Sequence, residues 1–271
     1  VFYGVYTFVR DVFGSNGGTG GEAGSARLAH GHALDVIGLE RRLGLFVEPR
    51  VQRWYLGLPH HGFIRAWNLY YASLHFVVPV AALVWLYRAA PGRYRLWRNT
   101  LAATTGLALI GFSGYELMPP RLLDASATYG ACNPAYHLAC HPYGFVDTLA
   151  RFGGLWSFGS GGMASVSNQY AAMPSLHTAW ATWSVLVLWG LVRRPWVRAF
   201  LVLYPAATVV CIIVTGNHYW IDAAAGLVTL ACGYLIARVI DVLTLGRQRS
   251  RSTGRVTEPD EMGSAVNGPC R

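Results

Sequence analysis

The chain has 271 residues, of which 53% are apolar and 13% charged, about half the charged fraction of an ordinary soluble domain. Its formal charge of +9 is carried entirely by arginine, with no lysine, and most of those arginines flank apolar runs. That is the pattern of a membrane protein. It argues against nucleic-acid binding, which would need a basic face interleaved with exposed aromatics on a polar module.

Residues 1–13 are apolar and aromatic but short, interrupted by Arg10 and Asp11, and read as the end of a first membrane span. A glycine-rich connection follows at 14–24. Over 26–58, apolar residues alternate with Arg, His, Asp and Glu at roughly helical spacing, which predicts a helix lying in the membrane interface. Five further runs, 70–87, 100–118, 178–192, 199–214 and 219–240, approach the roughly 20 residues needed to cross about 30 Å of hydrocarbon as a helix. With the partial first span they predict about six transmembrane helices. The expected fold is an all-α, polytopic membrane domain over 1–245. The segment 119–173 carries Gly, Pro, Tyr and Trp without a membrane-length apolar run, and a loop of that size predicts a cap over an active site. Residues 246–271 are dominated by Arg, Ser, Gly, Glu and Pro and read as a disordered cytoplasmic tail.

Arginine counts orient the chain. The connection 88–98 holds four, 193–198 three and the tail five, whereas the long loop holds Arg121 and Arg151 alone. The arginine-rich side is expected to be cytoplasmic and the long loop extracytoplasmic, in a cell membrane. Seven arginines over 10–65 oppose this, but they are mixed with acids in the interfacial segment, which the rule weighs less. An oxidising exterior would permit a disulfide between Cys132 and Cys140 of the loop.

Three polar clusters fall at one membrane face in this topology. Met118-Pro119-Pro120-Arg121 ends one span, Met173-Pro174-Ser175-Leu176-His177 opens the next, and Gly216-Asn217-His218-Tyr219-Trp220-Ile221-Asp222 joins the last two. His218 and Asp222 lie four apart at a helix start, so they share a face, and the carboxylate can fix the imidazole tautomer and leave the other ring nitrogen nucleophilic. An arbitrary H-x-x-x-D is more often a cap or core pair, but ionisable groups inside a membrane domain are costly and tend to be functional. Pro174 and Ser175 open a helix whose free N–H groups suit an anion, His177 sits in its first turn, and Arg121 offers a permanent charge for phosphate oxygens. Asp124, Tyr129, Asp147, Trp156, Asn168 and Gln169 of the loop, with Tyr219, are of types that bind polyols or sugars.

Pro174-Ser175-Leu176-His177, followed past the next apolar span by His218-Tyr219-x-x-Asp222-x-x-x-Gly226, resembles the type 2 phosphatidic acid phosphatase superfamily. The contexts Pro119-Pro120-Arg121 and Asn168-Gln169-Tyr170 are similar to its inositol phosphorylceramide synthase-like branch. The resemblance implies that His218 attacks phosphorus, Asp222 orients it, and His177 protonates the leaving oxygen. Arg121 and Ser175 would bind phosphate, and Asn168, Gln169 and Tyr219 the acceptor. The chain departs from the phosphatase pattern in having no first-motif lysine, in placing proline before Arg121, and in holding Ile212 where the third-motif arginine stands.

That cation-poor pattern resembles the synthase-like branch better. The expected function is therefore lipid phosphotransfer through a phosphohistidine, moving a phospho-polyol or head group, with a lipid-phosphate phosphatase as the alternative. A non-catalytic transporter is a weaker alternative, since neither internal repeats nor broken helices are evident. The implied partners are membrane lipids, a lipid-linked phosphate and a polyol acceptor. The chemistry calls for no cofactor and no metal, although His218, Asp222 and His177 are all ligand types.

Overall fold

Proline and side-chain caps open most of the helices. The computed structural model describes residues 21–140, 142–154 and 169–255, with side chains described from residue 23 to residue 244. Its helices are α1 (Gly21–Arg42), α2 (Glu48–Leu56), α3 (Ile64–Ala89), α4 (Pro91–Gly114), α5 (Pro120–Leu123), α6 (Thr148–Phe152), α7 (Leu176–Trp189), α8 (Pro195–Val214) and α9 (Trp220–Arg255). Proline stands in the first turn of α2, α4, α5 and α8, where its missing N–H costs nothing. Asp147 caps α6 by accepting from the Ala150 N–H at 3.0 Å, and Ser175 caps α7 through the Thr178 N–H at 3.4 Å. Among the described residues the fold is all-α. Its β pairing is a single bridge between Leu117 and Ala171.

The bundle is organised around α7, which packs against α3, α4, α8 and α9. Trp180, Trp183 and Val187 of α7 meet Ala82 and Leu86 of α3 and Leu230 of α9. Both indoles are satisfied within the bundle: Trp183 Nε1 donates to the Trp97 carbonyl at 3.0 Å and Trp180 Nε1 to Thr105 Oγ1 at 3.2 Å. α9 runs along α4, and Gly233 lets the two backbones approach closely. A Cβ there would strike Thr104 Oγ1 and sit 2.7 Å from the Thr104 backbone nitrogen. At one end of this pair Arg95 bridges to Asp241 at 2.6 Å. The outer faces are apolar and exposed, including Phe76, Val77 and Val80 of α3, Phe200 and Leu203 of α8, and Val228, Leu235 and Val239 of α9. Such a belt belongs in hydrocarbon.

Three of the described helical stretches are long and apolar enough to cross a membrane: Pro59–Ala89, Pro195–Val214 and Trp220–Thr244. The expectation of about six is therefore met only in part. The run 100–118 falls in α4, whose first turns carry Arg93, Arg95 and Arg98 and which ends at Gly114. The run 178–192 falls in α7, whose 14 residues span roughly 21 Å. The partial first span, 1–13, lies outside the described residues. The interfacial stretch divides into α1 and α2, with a turn at Gly44 (φ 70°) between them. Within the segment read as a tail, the backbone of 246–255 continues α9. Residues 256–271 lie outside the described residues.

Gly233→Val should force α4 and α9 apart and lower stability by about 1–3 kcal/mol, read as a lower thermal unfolding midpoint in detergent micelles. An unchanged midpoint would mean that the helices do not meet at this glycine.

Candidate active site

The three polar clusters converge at one end of the bundle. Past α4, the Leu117 N–H donates to the Tyr170 carbonyl at 2.7 Å and the Met118 N–H to the Ala29 carbonyl at 3.1 Å, which threads this strand between the loop and α1. α5 then places the Arg121 N–H on the Gly216 carbonyl at 2.7 Å. Gly216 has φ of 70°, and a Cβ there would lie 2.9 Å from Gln52 Nε2, so the turn between α8 and α9 needs a glycine. The Ser175 N–H donates to the Asp222 carbonyl at 3.0 Å. A Cβ on Gly226, one turn further along α9, would strike the Ser175 carbonyl, which explains the motif's glycine as a point of contact between α9 and the start of α7.

His218 is 3% exposed and Asp222 fully buried. Nδ1 of His218 lies 2.8 Å from the Ala172 carbonyl and 3.3 Å from Asp222 Oδ2. A carbonyl can only accept, so Nδ1 carries the proton and the lone pair resides on Nε2. The same Asp222 oxygen accepts from the Tyr219 N–H at 2.9 Å, which makes Asp222 both the orienter of the ring and the third-residue cap of its own helix. Nε2 of His218 is buried without a hydrogen-bond partner, and so is Nε2 of His177. The two rings stand 5.5 Å apart, edge to face. A polar group between them would satisfy both nitrogens.

Two neighbours of this pair were not singled out from the sequence. Tyr71 stacks on His177 with centroids 4.1 Å apart, and His75 lies 4.2 Å from His177, its Nδ1 on the Tyr71 carbonyl at 2.7 Å. Both residues belong to the predicted span 70–87, and an ionisable histidine inside an apolar run was the available signal.

Arg121 is 8% exposed, and three of its nitrogens are engaged. Nε donates to Asn217 Oδ1 at 3.0 Å, Nη1 to Asp147 Oδ2 at 2.8 Å and Nη2 to Gln169 Oε1 at 2.8 Å. It thus ties the loop to the residue before His218, and its charge faces a carboxylate. Asp147 serves as counter-ion and cap of α6, and Asp124 accepts the Tyr143 and Phe145 N–H groups at 2.9 and 2.6 Å, so both acids shape the loop. Ser175 is fully buried, with its hydroxyl turned to Thr178. Tyr219 is also fully buried, and its hydroxyl donates to the Met118 carbonyl at 3.2 Å, so it packs the core under the loop. Asn168 and Trp156 lie outside the described residues. Among the described residues no group of three or more His, Cys, Asp or Glu is arranged to hold a metal ion.

The loop is cross-linked within itself and tied to α3. Cys132 and Cys140 form a disulfide with Cα atoms 4.8 Å apart. Buried Asn68 of α3 donates to the Thr148 and Gly153 carbonyls at 2.9 and 2.8 Å and accepts from Thr148 Oγ1 at 2.9 Å.

Residues 34–236, a stretch that runs from within α1 into α9 and carries His177, His218 and Asp222, match the PAP2 superfamily. The chain belongs to that superfamily. Its members are phosphatases and phosphotransferases, so the protein is an enzyme of phosphoester chemistry. No curated protein and no solved structure matches the chain.

Arg121→Ala leaves Asp147 uncompensated in a mostly buried setting and should cost on the order of 3 kcal/mol in a thermal unfolding assay. Arg121→Lys should recover part of this, because a lysine keeps the charge and loses the fork that spans three acceptors. Adding Asp147→Asn to Arg121→Ala should restore stability in the same assay.

Proposed function

We propose that the protein is a lipid phosphotransferase of the inositol phosphorylceramide synthase-like kind, working through a phosphohistidine at His218. The observation that carries this reading is the buried His218 ring, with its Nδ1 proton held by Ala172 and Asp222 and its Nε2 lone pair unpartnered opposite His177. A phosphoester entering between the rings meets a nucleophile already in the required tautomer. Nε2 forms a bond to phosphorus while the bond to the lipid oxygen breaks in line, and His177, protonated on Nε2, hands its proton to the departing alkoxide. Neutral His177 then takes the proton of an incoming hydroxyl, whose oxygen attacks phosphorus and frees His218. A polyol or lipid hydroxyl as acceptor gives transfer; water gives hydrolysis.

The cation-poor surroundings favour transfer of a phosphodiester over capture of a dianionic monoester. Ile212 occupies the place of the third-motif arginine and Arg121 is already paired with Asp147. A phosphodiester carries one charge and a lipid-borne head group that binding energy can grip elsewhere. Segment 119–173, braced internally by the disulfide and held to α3 by Asn68, acts as the cap, and Asn168 and Gln169 are its candidates for the acceptor. The membrane domain comprises α3, α4, α7, α8 and α9 as a five-helix crossing bundle, with α1 and α2 at the interface; α4 and α7 reach across with help from their neighbours. The disulfide suits an extracytoplasmic cap, and the arginines at 88–98 and 193–198 suit a cytoplasmic face at the other end.

His218→Ala should abolish turnover, and His177→Ala should still form the phosphoenzyme from a donor with a good leaving group. Mass spectrometry of lipids after incubation with candidate phosphodiester donors, with and without polyol and lipid acceptors, separates transfer from hydrolysis. A phosphomonoester formed with water as the sole acceptor would overturn the transferase reading. Orientation is checked by labelling a cysteine placed after Arg247, in a chain with Cys232 and Cys270 replaced by serine. It should react from the cytoplasmic side, while peptide mapping without reductant should find Cys132 joined to Cys140.

A further inference from the structure

The first turn of α9 is capped by carboxylates that come from outside the helix. Tyr219 stands at the cap position, but its hydroxyl is spent on Met118 and offers no oxygen to the N–H groups that follow. Glu48 of α2 accepts from the Trp220 N–H at 3.3 Å through Oε1, and Glu40 of α1 accepts from the Ile221 N–H at 3.1 Å. Both glutamates are fully buried. Neither forms a salt bridge among the described residues, and no nitrogen or hydroxyl reaches either Oε2. The two carboxyl groups accept from successive N–H groups of one helix turn, so they sit side by side without a cation between them among the described residues, and a single proton held by the pair would relieve their repulsion. The groups around them are of the same sign or neutral: Asp222 and Tyr219 at the start of α9, and Tyr143 of the loop. The adjacent Arg41 lies over the Phe46 and Tyr143 rings, 5.1 and 5.8 Å from their centroids, rather than pairing with them.

We propose that Glu40 and Glu48 share one proton and act as a positioning pair: they hold the first turn of α9, and through it Asp222 and His218, in the arrangement the phosphoryl chemistry needs. The link is short, since Trp220 and Ile221 are the residues between Tyr219, which Asp222 caps, and Asp222 itself. Two ionised carboxylates in this enclosure would repel each other and Asp222, so loss of the shared proton loosens the turn. Burial, with Glu48 alongside, pushes the Glu40 carboxyl up to about 9 from an ordinary value of 4.5. Between those values the folded protein keeps a proton that the unfolded chain has released, so stability falls as pH rises across that window. The positioning role rests on the reading of His218 as the attacking group; the shared proton does not.

The test compares wild type with Glu40→Gln, Glu48→Gln and Glu40→Ala in detergent micelles from about pH 5 to about pH 10. A glutamine donates its amide N–H to the remaining carboxylate without a proton, so both glutamine variants should show a shallower fall of the unfolding midpoint with pH than wild type. Equal slopes would overturn the shared proton. Positioning is read without turnover from the downfield proton resonance of His218 Nδ1–H, identified by its absence in His218→Ala. It should fade in wild type above about pH 9 and persist in Glu40→Gln. Persistence in all forms would overturn the positioning role. With turnover in hand, Glu40→Ala should lose about tenfold or more in kcat with little change in KM, and Glu40→Gln should recover most of it and extend activity to higher pH. Absence of phosphoryl turnover in wild type would count against the catalytic reading alone, because the midpoint and the resonance still judge the glutamate pair.

Discussion

A helix that starts inside a protein leaves its first N–H groups without partners, and the start of α9 is where this fold has to solve that problem. The solution shapes everything nearby. Asp222 reaches back to the Tyr219 N–H, Glu48 takes the Trp220 N–H and Glu40 the Ile221 N–H. Each acceptor comes from a different helix, so capping one terminus fixes the seats of α1 and α2 against α9. Because Asp222 also orients His218, the capping network and the reactive ring are one structure. The Ser175 N–H on the Asp222 carbonyl extends the same network to α7 and sets His177 opposite.

The surroundings of that network are dry and poor in cations. Asp222, Glu40 and Glu48 are fully buried, Arg41 lies over the Phe46 and Tyr143 rings, and Arg121 is held by Asp147, Gln169 and Asn217. Fixed donors and acceptors in such an enclosure need little reorganisation as charge moves, which suits in-line displacement at phosphorus. They also make the unpartnered nitrogens of His177 and His218 conspicuous, since buried polar atoms are as a rule satisfied.

Much of this was legible in the chain because the signals were local. Apolar runs bounded by arginine and proline marked α3, α4, α7, α8 and α9, and the i,i+4 spacing of His218 and Asp222 put both on one face. Spacing in sequence could not reveal what the packing supplies. Span length alone does not decide α7, whose 14 residues are fewer than a lipid-exposed span needs although it packs among α3, α4, α8 and α9. Asp147 read as an acceptor-binding loop residue, and only the fold brings it to Arg121. Tyr219 read as a substrate contact, whereas its side chain is taken up by Met118 and the core. Glu40 and Glu48 read as the polar face of an interfacial helix, since nothing near them in the sequence indicates that α9 would need their oxygens.

The central claim is that Nε2 of His218 bonds to phosphorus during turnover. It is tested most directly by quenching the enzyme in alkali during reaction with a phosphodiester donor, mapping the acid-labile adduct by mass spectrometry, and assigning the nitrogen by phosphorus–nitrogen coupling in ¹⁵N-histidine-labelled protein. The account predicts an adduct on Nε2 of His218 that accumulates when His177 is replaced and acceptor is withheld. An adduct on another residue, or single-turnover chemistry that proceeds in His218→Ala, would contradict it.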